Sequence, residues 1–505
     1  MFRKMLIANR GEIAVRVVRA CRELGIQTVG VFSEVDRSAL HVRLADEAYR
    51  IGPAASRESY LRIDRLMEVA RKAGCDALHP GYGFLAENPA LARACTEAGI
   101  TFIGPSADAM EKMGSKTAGK QLARRCDVPT VPGTDEPMEN PQEVQSLARS
   151  MGYPVLLKAV AGGGGKGMRI VPNDAAFAAA WRDASSEALN AFGDSRVFLE
   201  KYLIGPRHIE IQILADAHGR VVSLGERECS VQRRHQKVVE EAPSPVMTPD
   251  LRRKMGEAAV RLARAGGYIN AGTMEFLVDE NLNFYFLEVN TRLQVEHPVT
   301  EQVTGLDLVK LQIAIAAGHR LPFAWETITP RGHAMEVRLY AEDPDNNFFP
   351  SPGKILSRHA PTGPGTRLDE GVYEGYTVPM EYDPLLSKLI AWGNSREESI
   401  SRLRRALDEY RITGIRTNVG LFQRILAEPE FLRGEIHTRW LDDLLARPRP
   451  PATPPRPGTE EAAVIAAALW HMEQANRSAK PEGEAQAAPS PWKRQGRHEQ
   501  VDRRP

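Results

Sequence analysis

The stretch that most narrows the possible folds is residues 272–290, GTMEFLVDENLNFYFLEVN. Two apolar runs flank the turn-forming segment Asp279–Asn283, which is the pattern of a β-hairpin. With a four-residue loop, Glu280–Asn283, closed by Asp279 and Phe284, Glu275 lies directly across from Glu288. Asn290, two residues further on, shares that face. Like charges set opposite each other destabilise a sheet, so this register asks for solvent on the acidic face or for a cation between the carboxylates. Two carboxylates and an amide oxygen are hard ligands of the kind magnesium takes, with nucleotide phosphates completing its octahedron. The apolar residues around them favour metal over a solvated face.

The next segment, NTRLQVEHPVTE (290–301), places Arg292, Gln294, Glu296 and His297 among apolar neighbours. A loop there could hold a small anion with Arg292 and offer Glu296 as a base. It reads equally well as a polar connection to the helix after Pro298. Upstream, YPVLLKAVAGGGGKGMRI (153–170) runs a strand, Val155–Val160, into Gly162–Gly165, Lys166 and Gly167, and then into a strand at Met168–Val171. Glycines let backbone N–H groups approach phosphate closely. This is no Walker A loop, because neither Ser nor Thr follows the lysine and a strand comes next. It is a glycine-tipped hairpin, either a plain surface turn or a lid over a triphosphate that Lys158 would also meet. Val197–Leu203 is an apolar strand ending in Glu200 and Lys201, which could present an adenine edge. His208, Glu210 and Gln212 alternate with Ile209, Ile211 and Ile213, which predicts a half-buried strand with one polar face. Residues 226–241, ERECSVQRRHQKVVEE, read alone as a charged, solvated stretch; Gln232, His235 and Lys237 gain meaning only in company.

Residues 4–110 alternate strand and helix signals: strands at Met5–Ala8, Thr28–Phe32, Ala77–His79 and Thr101–Ile103, and a helix over Ile13–Leu24 ending at Gly25. That order predicts a parallel, doubly wound unit. Its first turn, NRGE, lacks the GxGxxG of a dinucleotide site. A third unit, 331–446, carries strands near Ala334–Tyr340 and Leu386–Trp392 and a helix over Arg396–Tyr410. On the strand, Glu336 and Arg338 share the polar face, and Met335, Val337 and Leu339 face the core. The proline-dense segment around 447–458 reads as a stiff linker. An alanine-rich amphipathic helix over Glu460–Gln474 and a basic tail follow. The chain's 505 residues carry a net charge of +1, so no global field points to nucleic acid or an anionic membrane. Five scattered cysteines without a CxxC pair fit a reducing cytoplasm rather than a disulfide or zinc framework. No stretch approaches the roughly 20 apolar residues of a membrane span, and the N-terminus lacks a signal-peptide pattern.

Together, IANRGEIA (7–14), HPGYGFLAEN (79–88), GGGGKGM (162–168), EKYL (200–203), RRHQKVVEEAP (233–243), NTRLQVEHPVTE (290–301) and GHAMEVRLYAEDP (332–344) resemble the biotin carboxylases of the ATP-grasp superfamily, over roughly residues 2–446. The resemblance implies a mixed α/β and α+β chain in four parts. These are a doubly wound N-terminal domain (1–114), an ATP-grasp domain (115–330) with a mobile glycine-rich lid at about 131–203, a C-terminal α+β domain (331–446), and a linker, helix and tail (447–505). It also implies a reaction in which ATP and bicarbonate form carboxyphosphate, whose CO₂ passes to N1 of biotin.

By the same resemblance, Lys116, Lys158, Gly164, Gly165, His208, Gln232 and His235 would contact the nucleotide's phosphates or ribose. Glu200, Lys201 and Leu203 would frame adenine. Glu275, Glu288 and Asn290 would hold Mg²⁺ or Mn²⁺. Arg292, Lys237 and the backbone of Val295 would bind bicarbonate, Glu296 would deprotonate it, and Arg338 would stabilise the enolate-like oxygen of biotin. No AMKM-like biotinylation sequence is present, so biotin is expected on a separate carrier protein, with carboxyltransferase subunits on other chains and a homodimer of this one. Acetyl-CoA is the default acceptor, with propionyl-CoA, another acyl-CoA or, in a two-subunit enzyme, pyruvate as alternatives. Other ATP-grasp ligases and a non-catalytic scaffold are the competing readings; the sequences around 79–88 and 332–344 disfavour the first, and an intact Lys237, Arg292 and Glu296 disfavour the second.

Overall fold

The computed structural model describes residues 1–134, 136–159, 168–192, 195–323, 329–448 and 458–478. Residues 1–446 form one compact unit and 447–505 another, and each is described by itself. The chain opens with the strands β1 (Lys4–Ile7), β2 (Gln27–Ser33), β3 (Glu47–Gly52), β4 (Ala77–His79) and β5 (Thr101–Phe102). They form a sheet that is parallel, as the alternating signals predict, in the order β3-β2-β1-β4-β5, with β3 an edge strand the sequence reading did not name. Met5 and Ile7 pack on one side with Ile13 and Val17 of the helix Gly11–Glu23, and Leu6 and Ala8 pack on the other with Leu66 and Leu91. Burial of both faces is what a parallel sheet requires. Asn9 Nδ2 donates to Pro80 O and to Tyr82 O, both at 2.7 Å, which binds the first βα turn to the 79–88 loop.

The glycine-tipped hairpin belongs to a three-stranded sheet, β7-β6-β8, made of β6 (Val155–Ala159), β7 (Met168–Val171) and β8 (Val197–Lys201). Its own core joins Val155, Leu157 and Leu199 to Val144, Phe177 and Trp181 from the helices Pro141–Met151 and Phe177–Phe192. The loop that carries Gly164 and Gly165 lies outside the described residues.

The main sheet has eight strands, all antiparallel. After β9 (Arg207–Ala215), β10 (Val221–Arg233), β11 (Gln236–Ala242), β12 (Asn270–Val278), β13 (Phe284–Asn290) and β14 (His333–Tyr340), it is completed by Thr366–Glu370 and Leu385–Gly393. The order is β13-β12-β9-β10-β11-β14, then Leu385–Gly393 and Thr366–Glu370. The sheet therefore runs unbroken across residue 330, through the β11–β14 ladder. On one side, Ile209, Ile211 and Ile213 pack on Met255, Ala258, Ala259 and Leu262 of the helix Pro249–Ala265. The sequence reading of β9 as half-buried is corrected here. His208, Glu210 and Gln212 are also buried, because the opposite face is roofed by protein.

The β12–β13 hairpin pairs Glu275 with Glu288, as the sequence reading requires, but by another route. The loop is one residue longer than the four assumed, since Val278 pairs with Phe284. A bulge between Glu275 and Phe276 then restores the register. Phe276 anchors the bulge, fully buried and edge-on to Phe284 and Phe286 with ring centroids at 5.6 and 6.0 Å.

Beyond β14, Met335, Val337 and Leu389 pack on Leu403 and Leu407 of the helix Arg396–Glu409. In the second unit, the helix Thr459–Ser478 is longer than predicted, and Val464, Ile465, Leu469 and Met472 on it are exposed. Among the described residues no helix is long and apolar enough to cross a membrane.

Phe276→Ala removes a buried ring beside the bulge. It is expected to cost about 3–5 kcal/mol, the usual range for a core aromatic. A fall in the urea unfolding midpoint checks this, and an unchanged midpoint would place the bulge's support elsewhere.

Candidate active site

A cavity of about 660 Å³ lies over the polar face of the main sheet and reaches to the three-stranded sheet. Of the residues singled out in the sequence, Lys158, Glu200, His208, Gln232, His235, Lys237, Glu275, Glu288, Asn290, Arg292, Val295 and Arg338 line it. Period-two alternation explains the convergence, since His208 and Glu210, Glu275, and Glu288 and Asn290 come from three neighbouring strands.

The centre of the cluster is Lys237. Its Nζ donates to Glu210 at 2.5 Å, Glu296 at 2.6 Å and Glu275 at 2.8 Å. Burial works against the ammonium, but the three carboxylates outweigh it and hold Lys237 far above the usual lysine range. Lys237 reaches them because β10 and β11 meet in a two-residue turn, with Arg233 paired to Gln236. Arg234 and His235 both take positive φ there, 48° and 66°. This is the backbone of a tight hairpin turn without the glycine or asparagine that usually fills it. His235 sits exposed at its tip, on the wall of the cavity.

Around Lys237 the charges nearly balance. Arg227, fully buried, donates to Glu210 at 2.5 Å, Gln212 at 2.7 Å and Thr273 at 3.0 Å. His208 Nε2 lies 3.1 Å from Glu275, which also accepts from Asn290 at 2.7 Å and Gln294 at 3.0 Å. Burial disfavours the Glu275 charge, yet Lys237 and His208 hold it well below the usual carboxylate range. Glu296 is likewise held far below, against its burial, by Lys237 and by Arg338 at 2.9 Å. The carboxyls left over are pushed up by burial, Glu240 to about 7 despite Arg338, and Glu336 well above the usual carboxylate range. They face each other across the β11–β14 ladder.

Arg292 spans Glu87 at 3.0 Å, Gln294 at 2.8 Å and Asn290 at 3.1 Å. Glu87, from the 79–88 loop, also accepts from Thr291 N at 2.8 Å, so the N-terminal unit fixes the start of the 290–301 segment. At the far end of the cavity, the buried Glu200 pairs with both Lys158 and Lys120. Lys201 turns instead to Gly152 O at 2.6 Å, and neither it nor Leu203 is among the cavity's lining residues. Lys116 begins the helix Lys116–Arg125, one turn before Lys120.

The hairpin residues are of the kinds that hold a divalent cation. Glu275, Glu288 and Asn290 project from one face at the cavity wall and offer carboxylate and amide oxygens. Several partners escaped the sequence reading: Glu87, Lys120, Arg227, Glu240 and Lys388. Arg227 and Glu240 sit in the charged 226–241 stretch, where alternation on a strand was a usable signal. Lys120 and Lys388 lie 80 and 93 residues from the groups they bind, and nothing local marks them.

Comparison with known proteins completes the assignment. Residues 1–110 match the biotin carboxylase N-terminal domain, 115–324 the ATP-binding domain of the carbamoyl-phosphate synthase L chain, and 336–443 the biotin carboxylase C-terminal domain. The chain is 54% identical over 443 residues to a pyruvate carboxylase subunit of Methanothermobacter thermautotrophicus, covering 88% of this chain and 90% of that one. It is 53% identical over 445 residues to the biotin carboxylase of Halalkalibacterium halodurans, covering 88% and 98%. Among solved structures, the biotin carboxylase domain dimer of Hydrogenobacter thermophilus 2-oxoglutarate carboxylase, in complex with MgADP, ADP and bicarbonate, superposes with a TM-score of 0.82. It is 48% identical, covering 89% of this chain and all of that one. With a matched domain on each part of the cavity's frame and relatives near half identity along almost all of residues 1–446, the chain belongs to the biotin carboxylase family and is a ligase-type carboxylase.

Proposed function

We propose that the chain carboxylates biotin borne on a carrier protein, using ATP, magnesium and bicarbonate, as the first half-reaction of acetyl-CoA carboxylase. The observation that carries this is the juxtaposition of Glu296 with Lys237 and Arg338 in one buried cluster beside Arg292 and the Glu275–Glu288 face. Anion-holding cations and an acidic face thereby line a single cavity, with the base Glu296 buried directly behind Lys237 and Arg338.

In this reading Arg292, Lys237 and the Val295 backbone hold bicarbonate, and Glu296 takes its proton. A bicarbonate oxygen then attacks the γ-phosphorus of ATP, the β,γ-bridging P–O bond breaks, and ADP leaves carboxyphosphate behind. Loss of CO₂ from carboxyphosphate frees phosphate, which removes the N1 proton of biotin as N1 bonds to carbon. Arg338 steadies the negative charge that this leaves on the ureido oxygen. Glu275, Glu288 and Asn290 would hold a magnesium ion, which would neutralise phosphate charge. Lys158, His208, Gln232 and His235 line the phosphate and ribose side, joined by Lys116, Gly164 and Gly165. Glu200, Lys201 and Leu203 border adenine. Holding three reactants together away from water accounts for much of the acceleration. A homodimer follows the arrangement of the Hydrogenobacter thermophilus neighbour.

Pyruvate as the acceptor is the second reading, favoured by the identity to a pyruvate carboxylase chain. Carboxylated carrier made by this enzyme, offered to partner transferase with acetyl-CoA, propionyl-CoA or pyruvate, separates the readings by which substrate is consumed.

Glu296→Gln is expected to lower bicarbonate-dependent ATP cleavage by about 10²–10⁴-fold, the usual contribution of a positioned base, with ATP binding nearly unchanged by calorimetry. Unaltered turnover would remove Glu296 as the base. Arg338→Gln should split the two steps, with free-biotin carboxylation falling far more than bicarbonate-dependent ADP release. An equal loss of both would place Arg338 in the phosphate step instead.

A further inference from the structure

On the cavity side of the main sheet, Arg338 and Lys388 stand directly opposite each other on neighbouring strands. Both reach the same two-residue stretch of the 290–301 segment, by different means. Arg338 donates to the Glu296 side chain at 2.9 Å. Lys388 donates to the backbone oxygen of Val295 at 2.8 Å. Val295 O belongs to the peptide whose other end is Glu296 N, so a donor fixed on that oxygen sets the plane of the peptide on which the base is mounted.

The Lys388 side chain is fully buried, and the carboxyl it contacts comes from another part of the chain. Glu12, on the helix Gly11–Glu23, lies 3.2 Å from Lys388 Nζ and also accepts from the Tyr82 hydroxyl. Its place is set by a close backbone approach. A Cβ on Gly371 would stand 2.6 Å from Glu12 N, so only glycine lets the two chains meet there. Glu336 and Asp369 on the flanking strands add negative charge around Lys388, and a buried cation surrounded in this way has little freedom to wander.

We infer that Lys388, held by Glu12, is a positioning residue for bicarbonate: it fixes the Val295–Glu296 peptide so that the Val295 backbone and the Glu296 carboxylate meet the anion together. The inference rests on the bicarbonate site proposed above and assigns a role to a residue that is not among those lining the cavity. The nucleotide side of the cavity, at Glu200 and Lys158, takes no support from this pair, so ATP binding should be indifferent to it.

The test uses the full chain with free biotin, with separate KM values for bicarbonate and ATP and a thermal melt for each variant. Lys388→Met is expected to raise the bicarbonate KM by about 10–100-fold, the usual effect of losing a group that orients a binding residue. The ATP KM should stay within about twofold, and Lys388→Arg, which keeps a donor and a charge, should recover most of the loss. If Lys388→Met does not fold, Glu12→Gln carries the test with a smaller shift of the same selectivity. An unchanged bicarbonate KM in a folded variant overturns the inference, and so does a parallel rise of both KM values, which would mean only a loosened core. Arg292→Ala run alongside separates the two levels. If it raises the bicarbonate KM and Lys388→Met does not, the site stands and the role of Lys388 falls. If neither raises it, the bicarbonate site itself is misplaced and the inference falls with it.

Discussion

One buried ammonium organises this molecule. Lys237 touches Glu210 on β9, Glu275 on β12 and Glu296 ahead of the helix His297–Thr304, so a single cation joins segments almost ninety residues apart. Three carboxylates in one dry cluster would otherwise repel one another strongly. Removing one partner of such a buried set typically costs about 3–5 kcal/mol, because the remaining charges are stranded. The polar face of the sheet can be buried, and therefore reactive, because Lys237, Arg227 and Arg338 supply the opposite sign from within the same sheet.

How far the sequence could be read follows from which signals are local. The Glu275–Glu288 pairing was legible because strand residues alternate with period two. The loop length was misjudged, and a bulge at Phe276 cancelled the error, which no local rule foretells. The alternation on β9 named its polar residues correctly but suggested solvent where the structure has a protein roof, since a single strand does not say what covers it. Lys388 and Lys120 were invisible for a different reason: their meaning exists only after distant strands and helices meet. The parallel character of the N-terminal sheet, by contrast, is written in contiguous strand and helix signals, although its edge strand Glu47–Gly52 and the strand order are not.

The chain is nearly as similar to a carboxylase named for pyruvate as to one named for 2-oxoglutarate, so similarity alone does not single out an acceptor. In the function proposed above, the groups gathered in the cavity concern a nucleotide, a small anion and a ureido ring, none of which distinguishes acetyl-CoA from pyruvate. On the proposed reading, acceptor choice belongs to protein surfaces beyond this cavity.

The unbroken main sheet has a consequence for how such chains can be rearranged. A join at residue 330 looks like a natural seam for cutting or grafting, because the family matches change near it. Yet β11 is hydrogen-bonded to β14 across that seam. A fragment ending there would carry a raw strand edge, a ready template for sticking to other chains. It would also lose Arg338 and Lys388, the two cations that grip the Val295–Glu296 stretch from the far side. Shuffling within this block would require both halves of one ladder to travel together.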